Sequence, residues 1–425
     1  MTRIKIKPLW FAIFLTQNSF AAESLTDVFA IAMRQNQQLM AAKMNTRAST
    51  QQVLAAKGQH LPQISIQGGY TQLSNTPAAK TTVAGNPAQF PMAQAGSANA
   101  QALISLPIFT SWRISHDIAS AKANKQAITQ HEITTALAIK LQVAQAFIAI
   151  FRIQKSLDVA QTHVTSLESH TKDVNNLYKQ DMVARNDLLA ADVSLKNAEQ
   201  TVLQIENRLN IAKAHFNQLL NRDLTTDVDL REEFPQIQQG NFATLKAQAL
   251  IKRPELSALT AQIEVLNEQS ASIKAQLLPQ ININGGYQYT QNRYQVYEGM
   301  WMASANVQWT PYDGSTRHRS HALVQQANAL MAQRNDVSNQ IALQVRQAWL
   351  DLQEAQKRLS ITEQSINQAN ENLKVSNERY QQGVTAHTEV LDAETLRIQA
   401  YDNFNNARYD VVMANLSLRR ALGTL

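Results

Sequence analysis

The sequence predicts a mainly α-helical chain that carries strands of a membrane β-barrel, with the barrel continuing into a long coiled-coil helical tunnel. Three observations predict it. One unit of about 200 residues is written twice. Each copy holds two membrane-length stretches of apolar/polar alternation. Long runs of 3-and-4 hydrophobic spacing follow each pair of stretches.

The duplication is explicit. Lys57 to Tyr70 reads KGQHLPQISIQGGY and Lys274 to Tyr287 reads KAQLLPQININGGY, with ten of fourteen positions identical at an offset of 217. The offset falls to 204 at Pro107 and Pro311 and to 202 at Tyr178 and Tyr380. A period this long is not that of a solenoid, whose repeats run to about 20–50 residues. Two copies are therefore expected to build one body, at 22–221 and 241–425, joined by a linker at 222–240 that includes Pro235.

The N-terminus gives an address. Arg3, Lys5 and Lys7 precede a seven-residue apolar core, Leu9 to Leu15, and Ser19 and Ala21 are small residues placed for cleavage. The core is far short of the roughly 20 residues a spanning helix needs. Residues 1–21 are thus expected to be a signal peptide, removed on export. Its loss takes Lys+Arg from 39 to 36 against 33 acids, so net charge falls from +6 to +3. A nearly balanced chain without a dense basic run does not point to nucleic acid. The absence of cysteine excludes disulfides, thiolate catalysis and Cys-ligated zinc.

In the first copy, helical pattern runs from 25 to 59, with strands at 63–72 and 98–108 and a long helical hairpin over 111–221. In the second, Pro254 divides the opening helical stretch at 242–277; strands follow at 280–290 and 301–310, and a hairpin at 315–422. Ile281, Ile283, Gly285, Tyr287 and Tyr289 alternate with Asn282, Asn284, Gly286, Gln288 and Thr290. Trp301, Ala303, Ala305, Val307 and Trp309 alternate with Met302, Ser304, Asn306, Gln308 and Thr310. Uncharged strands of this length, ending in Tyr and Trp, fit a lipid-facing wall better than two hairpins packed on a soluble core. Four strands cannot close a barrel, so an oligomer is required. The inter-strand segments, Leu73 to Ser97 and the shorter Asn292 to Gly299, are read as outward-facing loops.

The hairpins carry coiled-coil seams. Ile133, Leu137, Leu141, Ala144 and Ile148 are matched by Val337, Ile341, Val345, Ala348 and Leu352, and Leu195 to Leu219 holds a strict 3-and-4 spacing echoed from Ala400 to Leu418. A helix from Ser111 to Leu177 would be roughly 100 Å long. No motif proposes catalysis, a cofactor or a metal. The histidines read as scattered, with only His318 and His321 at helical spacing and no carboxylate partner beside them.

The turns joining the long helices read Tyr178-Lys179-Gln180-Asp181-Met182-Val183-Ala184-Arg185-Asn186-Asp187 and Tyr380-Gln381-Gln382-Gly383-Val384-Thr385-Ala386-His387-Thr388-Glu389. Gly383 suits a left-handed turn position, and Asp181 stands in its place in the first copy.

Three motifs carry a resemblance: LPQIxIxGGY at Leu61 and Leu278, PIFTSWR and PYDGSTR from Pro107 and Pro311, and YQQGVTAHTEVLDAE from Tyr380 to Glu394. Together they resemble the outer-membrane efflux protein family, the TolC-like exit ducts, over nearly the whole chain. The resemblance implies a homotrimer with a twelve-stranded barrel, four strands per subunit, in outer-membrane lipid, above a twelve-helix periplasmic tunnel. It implies passive conduction for a tripartite efflux or type I secretion system, with a periplasmic adaptor and an inner-membrane transporter as partners. It places Asp187, Tyr380, Thr385, Glu389 and Asp392 at the periplasmic constriction, and Met182, Val183, Ala184, Arg185, Gly383, Val384 and Ala386 at the adaptor-docking tips. Thr385 departs from the family, since TolC carries an arginine there, and Arg185 is a candidate replacement. The competing reading is a periplasmic adaptor or coiled-coil scaffold without a pore, but adaptors have one hairpin and this sequence has two.

Overall fold

The computed structural model describes residues 22–425. The leader expected at 1–21 lies outside the described residues. The first copy comprises helices α1 (Leu25–Gln35) and α2 (Gln37–Gly58), strands β1 (Gln63–Gln72), β2 (Ala78–Val83), β3 (Asn86–Pro91) and β4 (Gly96–Phe109), and helices α3 (Arg113–Tyr178) and α4 (Arg185–Leu219). The second comprises α5 (Phe242–Lys252), α6 (Pro254–Ala275), β5 (Gln280–Thr290), β6 (Gly299–Gln308), α7 (Thr316–Gln381) and α8 (His387–Ala421). Helices α3 and α7 each have 66 residues and α4 and α8 each have 35. The repeat in sequence is thus a repeat in helix length.

The opening helices break at the same repeat position by different chemistry. Arg253 is extended (ψ 119°) because Pro254 follows it and starts α6. At the equivalent place, 217 residues earlier, Asn36 is extended too (ψ 126°), and its side chain caps α2 by accepting from the Gln38 and Leu39 amides. The single helix expected over 25–59 is therefore two. Each breaking residue also ties down the end of a hairpin: Asn36 Nδ2 donates to the Leu219 carbonyl and Arg253 Nη1 to the Ala421 carbonyl, at 3.0 and 3.1 Å.

Strands β1, β4, β5 and β6 form one antiparallel sheet in that order. Their register stacks Ile66, Ala102, Tyr287 and Trp301 in one row across the sheet, and Ile64, Ile104, Gly285 and Ala303 in the next. Because strand side chains alternate with period two, one face is apolar throughout. The other face holds Gln67, Gln101, Gln288 and Asn306, with Leu103, Met300 and Met302 among its apolar members. Ile66 and Trp301, on the apolar face, are each left 81% exposed by the described residues. The segment 73–97, expected as loop alone, contains a further hairpin: β2 pairs with β3 around Ala84 and Gly85, both at positive φ, the geometry a two-residue turn requires.

Each barrel strand continues into a helix, and the order is kept. Helix α2 leads into β1, β4 into α3, α6 into β5 and β6 into α7, and below the sheet the helices pack as α2–α3–α6–α7. Farther along, α3 and α7 continue while α4 and α8 replace their short neighbours, giving the row α4–α3–α8–α7. Among the described residues, the strand sheet and the helical rows alike end in elements with a neighbour on one side alone.

The largest core sits where the two rows meet. Phe147, Phe151, Phe216, Phe234 and Tyr409 pack with ring centroids 5.2–6.5 Å apart. Helix α3 is long and apolar enough to cross a membrane, but one face of its stretch from Ile139 to Phe151, including Val143, Phe147 and Ile150, is buried in this core. The linker is strapped across it. Asn415, 1% exposed, accepts from the Gln238 amide and donates to the Pro235 and Gln236 carbonyls, while Tyr409 donates to Glu232.

Two outcomes follow from this architecture. Val307→Arg should reduce assembled, membrane-extracted protein, since a charge on the lipid face costs roughly 2–4 kcal/mol near the midplane; Asn306→Lys, on the opposite face, should leave the yield close to wild type. Asn415→Ala should destabilise the fold by about 1–3 kcal/mol, because it removes the three hydrogen bonds that a buried side chain makes to the linker backbone. That loss should be read as a lower melting temperature with new proteolytic cleavage within 222–240.

Candidate functional site

The two hairpin tips are built on one backbone device. Residues Asp181 (φ 56°) and Gly383 (φ 70°) adopt the left-handed conformation. At the first tip the Asp181 and Met182 amides donate to the Tyr178 and Leu177 carbonyls. At the second, Gly383 and Val384 donate to Tyr380 and Arg379. These paired bonds satisfy the last carbonyls of α3 and α7 and reverse the chain. Helices α4 and α8 then start after Ala184 and Ala386, neither of which caps with a side chain. Asp187 and Glu389 occupy their first turns, where a carboxylate is favoured by the helix dipole.

A small core holds the tips together: Val174, Ala191, Leu373, Tyr380, Val390 and Ala393, with Leu177, Val183 and Leu188 beside it. It draws on all four hairpin helices. Met182 and Val384, 64% and 62% exposed, project from the tips as uncovered apolar side chains. Ala184, Arg185, Gly383 and Ala386 are exposed alongside them.

Of the residues singled out for the constriction, the structure gathers some and separates others. Tyr380 is 7% exposed, and burial with the nearby charges of Asp187 and Asp173 raises its hydroxyl pKa above the usual value. Half-buried Thr385 sits in the second turn. Glu389 and Asp392 are exposed on α8. Asp187, in the first turn of α4, lies close enough to Tyr380 and His387 for its charge to act on both.

The histidines were misread as scattered. His170 of α3 and His387 of α8, 217 residues apart, meet through Nε2 and Nδ1 at 2.7 Å. Burial pushes the His170 imidazole down to about 4, with the adjacent His387 adding to it; burial also lowers His387, opposed by Asp187. Higher on the same seam, His163 lies 4.0 Å from Glu394, which Arg397 contacts at 2.9 Å. Burial alone would raise the Glu394 carboxyl, but its neighbours hold it below the ordinary carboxylate value. No spacing rule could have found these pairs, because they depend on α3 lying against α8. Tyr380 Oη, Thr385 Oγ1 and His387 Nε2 are buried without a hydrogen-bond partner among the described residues.

The tip backbone makes a testable difference between copies. Gly383→Ala should weaken its turn by roughly 1 kcal/mol, since a side chain is disfavoured in the left-handed region even though open space surrounds the position. Asp181→Gly should have the opposite sign. Hydrogen exchange of the Val384 and Met182 amides reads the two effects.

The comparisons agree with this geometry. The family profile described as "Outer membrane efflux protein" matches residues 29–222 and 245–424. Outer membrane protein TolC of Vibrio cholerae serotype O1 is 24% identical over 443 residues, covering 99% of this chain and 96% of that protein. The outer-membrane channel OprN superposes with a TM-score of 0.77 at 18% identity, over 94% of this chain and 90% of that one. The Campylobacter jejuni CmeC outer membrane channel superposes at 0.76 and 13% identity, over 100% and 94%. Both copies fall within the profile, which sets aside the reading of a pore-less adaptor. The protein is a transport channel and not an enzyme, seated in the outer membrane with its helical tunnel in the periplasm. The chain belongs to the outer membrane efflux protein family.

Proposed function

We propose that three copies of this chain close into a twelve-stranded barrel over a twelve-helix tunnel, the exit duct of a tripartite efflux or type I secretion system. The observation that carries this reading is the set of open-edged rows: β1 and β6 end the sheet, α2 and α7 end the helical row that keeps the sheet's order, and α4 and α7 end the row beyond it. Unpaired strand edges cannot persist in hydrocarbon. Exposed apolar residues on α4 (Val193, Leu203, Ile211) and α7 (Leu343, Ile361) supply side chains for the same closure in the tunnel. Crosslinking of detergent-extracted protein should stop at three subunits; a soluble periplasmic monomer would overturn the proposal.

Conduction through such a duct is passive, with energy supplied by an inner-membrane transporter and contact made through a periplasmic adaptor. Met182, Val183, Ala184 and Arg185 on one tip, with Gly383, Val384 and Ala386 on the other, form the docking surface for that adaptor. Supporting this are two exposed apolar side chains, Met182 and Val384, at the ends of the hairpins.

Tyr380, Thr385, Asp187, Glu389 and Asp392 form the periplasmic gate. Threefold repetition of the exposed Glu389 and Asp392 makes a ring of carboxylates at a narrow mouth, which favours cations. The channel is therefore expected to be cation-selective in a planar bilayer. Glu389→Ala with Asp392→Ala should weaken that selectivity and the block by multivalent cations, and Thr385→Arg should lower resting conductance. Unchanged selectivity in the double variant, or opening by Thr385→Arg, would remove these residues from the gate.

A further inference from the structure

The contact between His170 and His387 has an electrical consequence. Both residues are buried, 9% and 4% exposed, and their rings lie within 5° of parallel with centroids 4.8 Å apart. The Tyr380 ring stands 5.4 and 6.1 Å from the two imidazoles. A neutral imidazole offers one N–H donor and one bare nitrogen acceptor, so two neutral rings can share a hydrogen bond. Once both are protonated, all four nitrogens carry hydrogen. Two N–H groups and two positive charges would then face each other across 2.7 Å. The contact survives only while at least one ring stays neutral.

The pair bridges two hairpins. His170 belongs to α3 of the first and His387 to α8 of the second. Charged and titratable groups reach it from every helix of the tip: Asp173 on α3, Asp187 on α4, Tyr380 on α7 and Glu394 on α8. Of the carboxylates, Glu394 is already engaged by Arg397.

Above this level the same α3–α8 seam is pinned by arginine–carboxylate ion pairs. Arg152 binds Asp410 at 2.6 Å, and Arg358 of α7 reaches the same carboxylate at 2.8 Å. At the intermediate level, His163 faces the Glu394 carboxylate, a partner of opposite sign to an imidazolium. Of these α3–α8 contacts, the paired imidazoles are the ones that set like charges against each other when protonated, so acid loosens the seam at the last turns before the tip.

We propose that His170 and His387 form a proton-released latch, which holds the second hairpin against the first at neutral pH and frees it in acid so that the periplasmic mouth opens. This rests on the reading of the tips as the gate. The direction follows from burial. Both rings prefer the neutral form more than a free histidine does, so the latch is fully stable above the ordinary histidine value of about 6.5. It weakens as pH falls from there toward about 4, the value for His170. One proton taken up shifts the closed-to-open ratio by about tenfold per pH unit at most across that window.

The test uses the assembled protein in a planar bilayer, with conductance recorded from about pH 7.5 to about pH 4.5, the range in which histidine changes charge. Wild type should show conductance rising as pH falls. The double variant His170→Gln, His387→Asn retains donors and acceptors but cannot titrate, and its ratio of acid to neutral conductance should be near one. An independent readout uses the absence of native cysteine: spin labels on Lys172→Cys and Thr388→Cys report the α3–α8 distance in subunits diluted with unlabelled chain. Acid should widen that distance in wild type and not in the double variant. Flat conductance with a fixed distance, or an equal acid response in the double variant, overturns the latch. Widening without a change in conductance upholds the latch and overturns the reading of the tips as the gate.

Discussion

Hydrogen bonding along the two free edges of the sheet is the constraint on which the rest of this structure depends. Strands β1 and β6 each leave one side unpaired, and in hydrocarbon every such group must find a partner. The helices inherit the problem because each strand runs directly into a helix of the same row. The helical rows are therefore as open as the sheet above them. Apolar side chains on the outer faces of α4 and α7 are what open edges look like when the element is a helix and the partner is a side chain.

Within one chain, stability is concentrated away from both ends. The aromatic cluster around Phe147 and Tyr409 fixes α1, α3, α4 and α8 to one another, and the linker is fastened across them by backbone bonds to Asn415. That girdle is where the two copies become one body. Toward the tips the apolar cluster shrinks to a few residues and the seam becomes polar, passing from Arg152–Asp410 through His163–Glu394 to His170–His387. A seam held by an imidazole pair at its free end and by arginine–carboxylate pairs higher up is graded in strength along its length.

The copies share backbone solutions more faithfully than side chains. A left-handed residue ends α3 and α7, as Asp181 and Gly383; another follows α4 and α8, as Asn221 and Gly423. Each pair is separated by 202 residues. The break between the opening helices uses an asparagine cap in one copy and a proline in the other. Glycine, asparagine and aspartate are the residues that tolerate the left-handed region best, so divergence at these points stayed within a narrow chemical choice.

Local patterns made much of this chain legible. Period-two alternation marked the apolar and polar faces around Tyr287 and Trp301, 3-and-4 spacing marked seam residues such as Ile341 and Val345, which are buried, and family motifs identified the fold. These signals work because strand and helix periodicity are properties of a single segment. The break at Asn36 was missed because an asparagine cap has no signature as strong as Pro254. The β2–β3 hairpin was missed because its turn, Ala84-Gly85, lies in a stretch without alternation. The meeting of His170 with His387 belonged to tertiary structure alone: the pair joins helices of different hairpins, and only the packing of the four hairpin helices around one small core decides which side chains share a level.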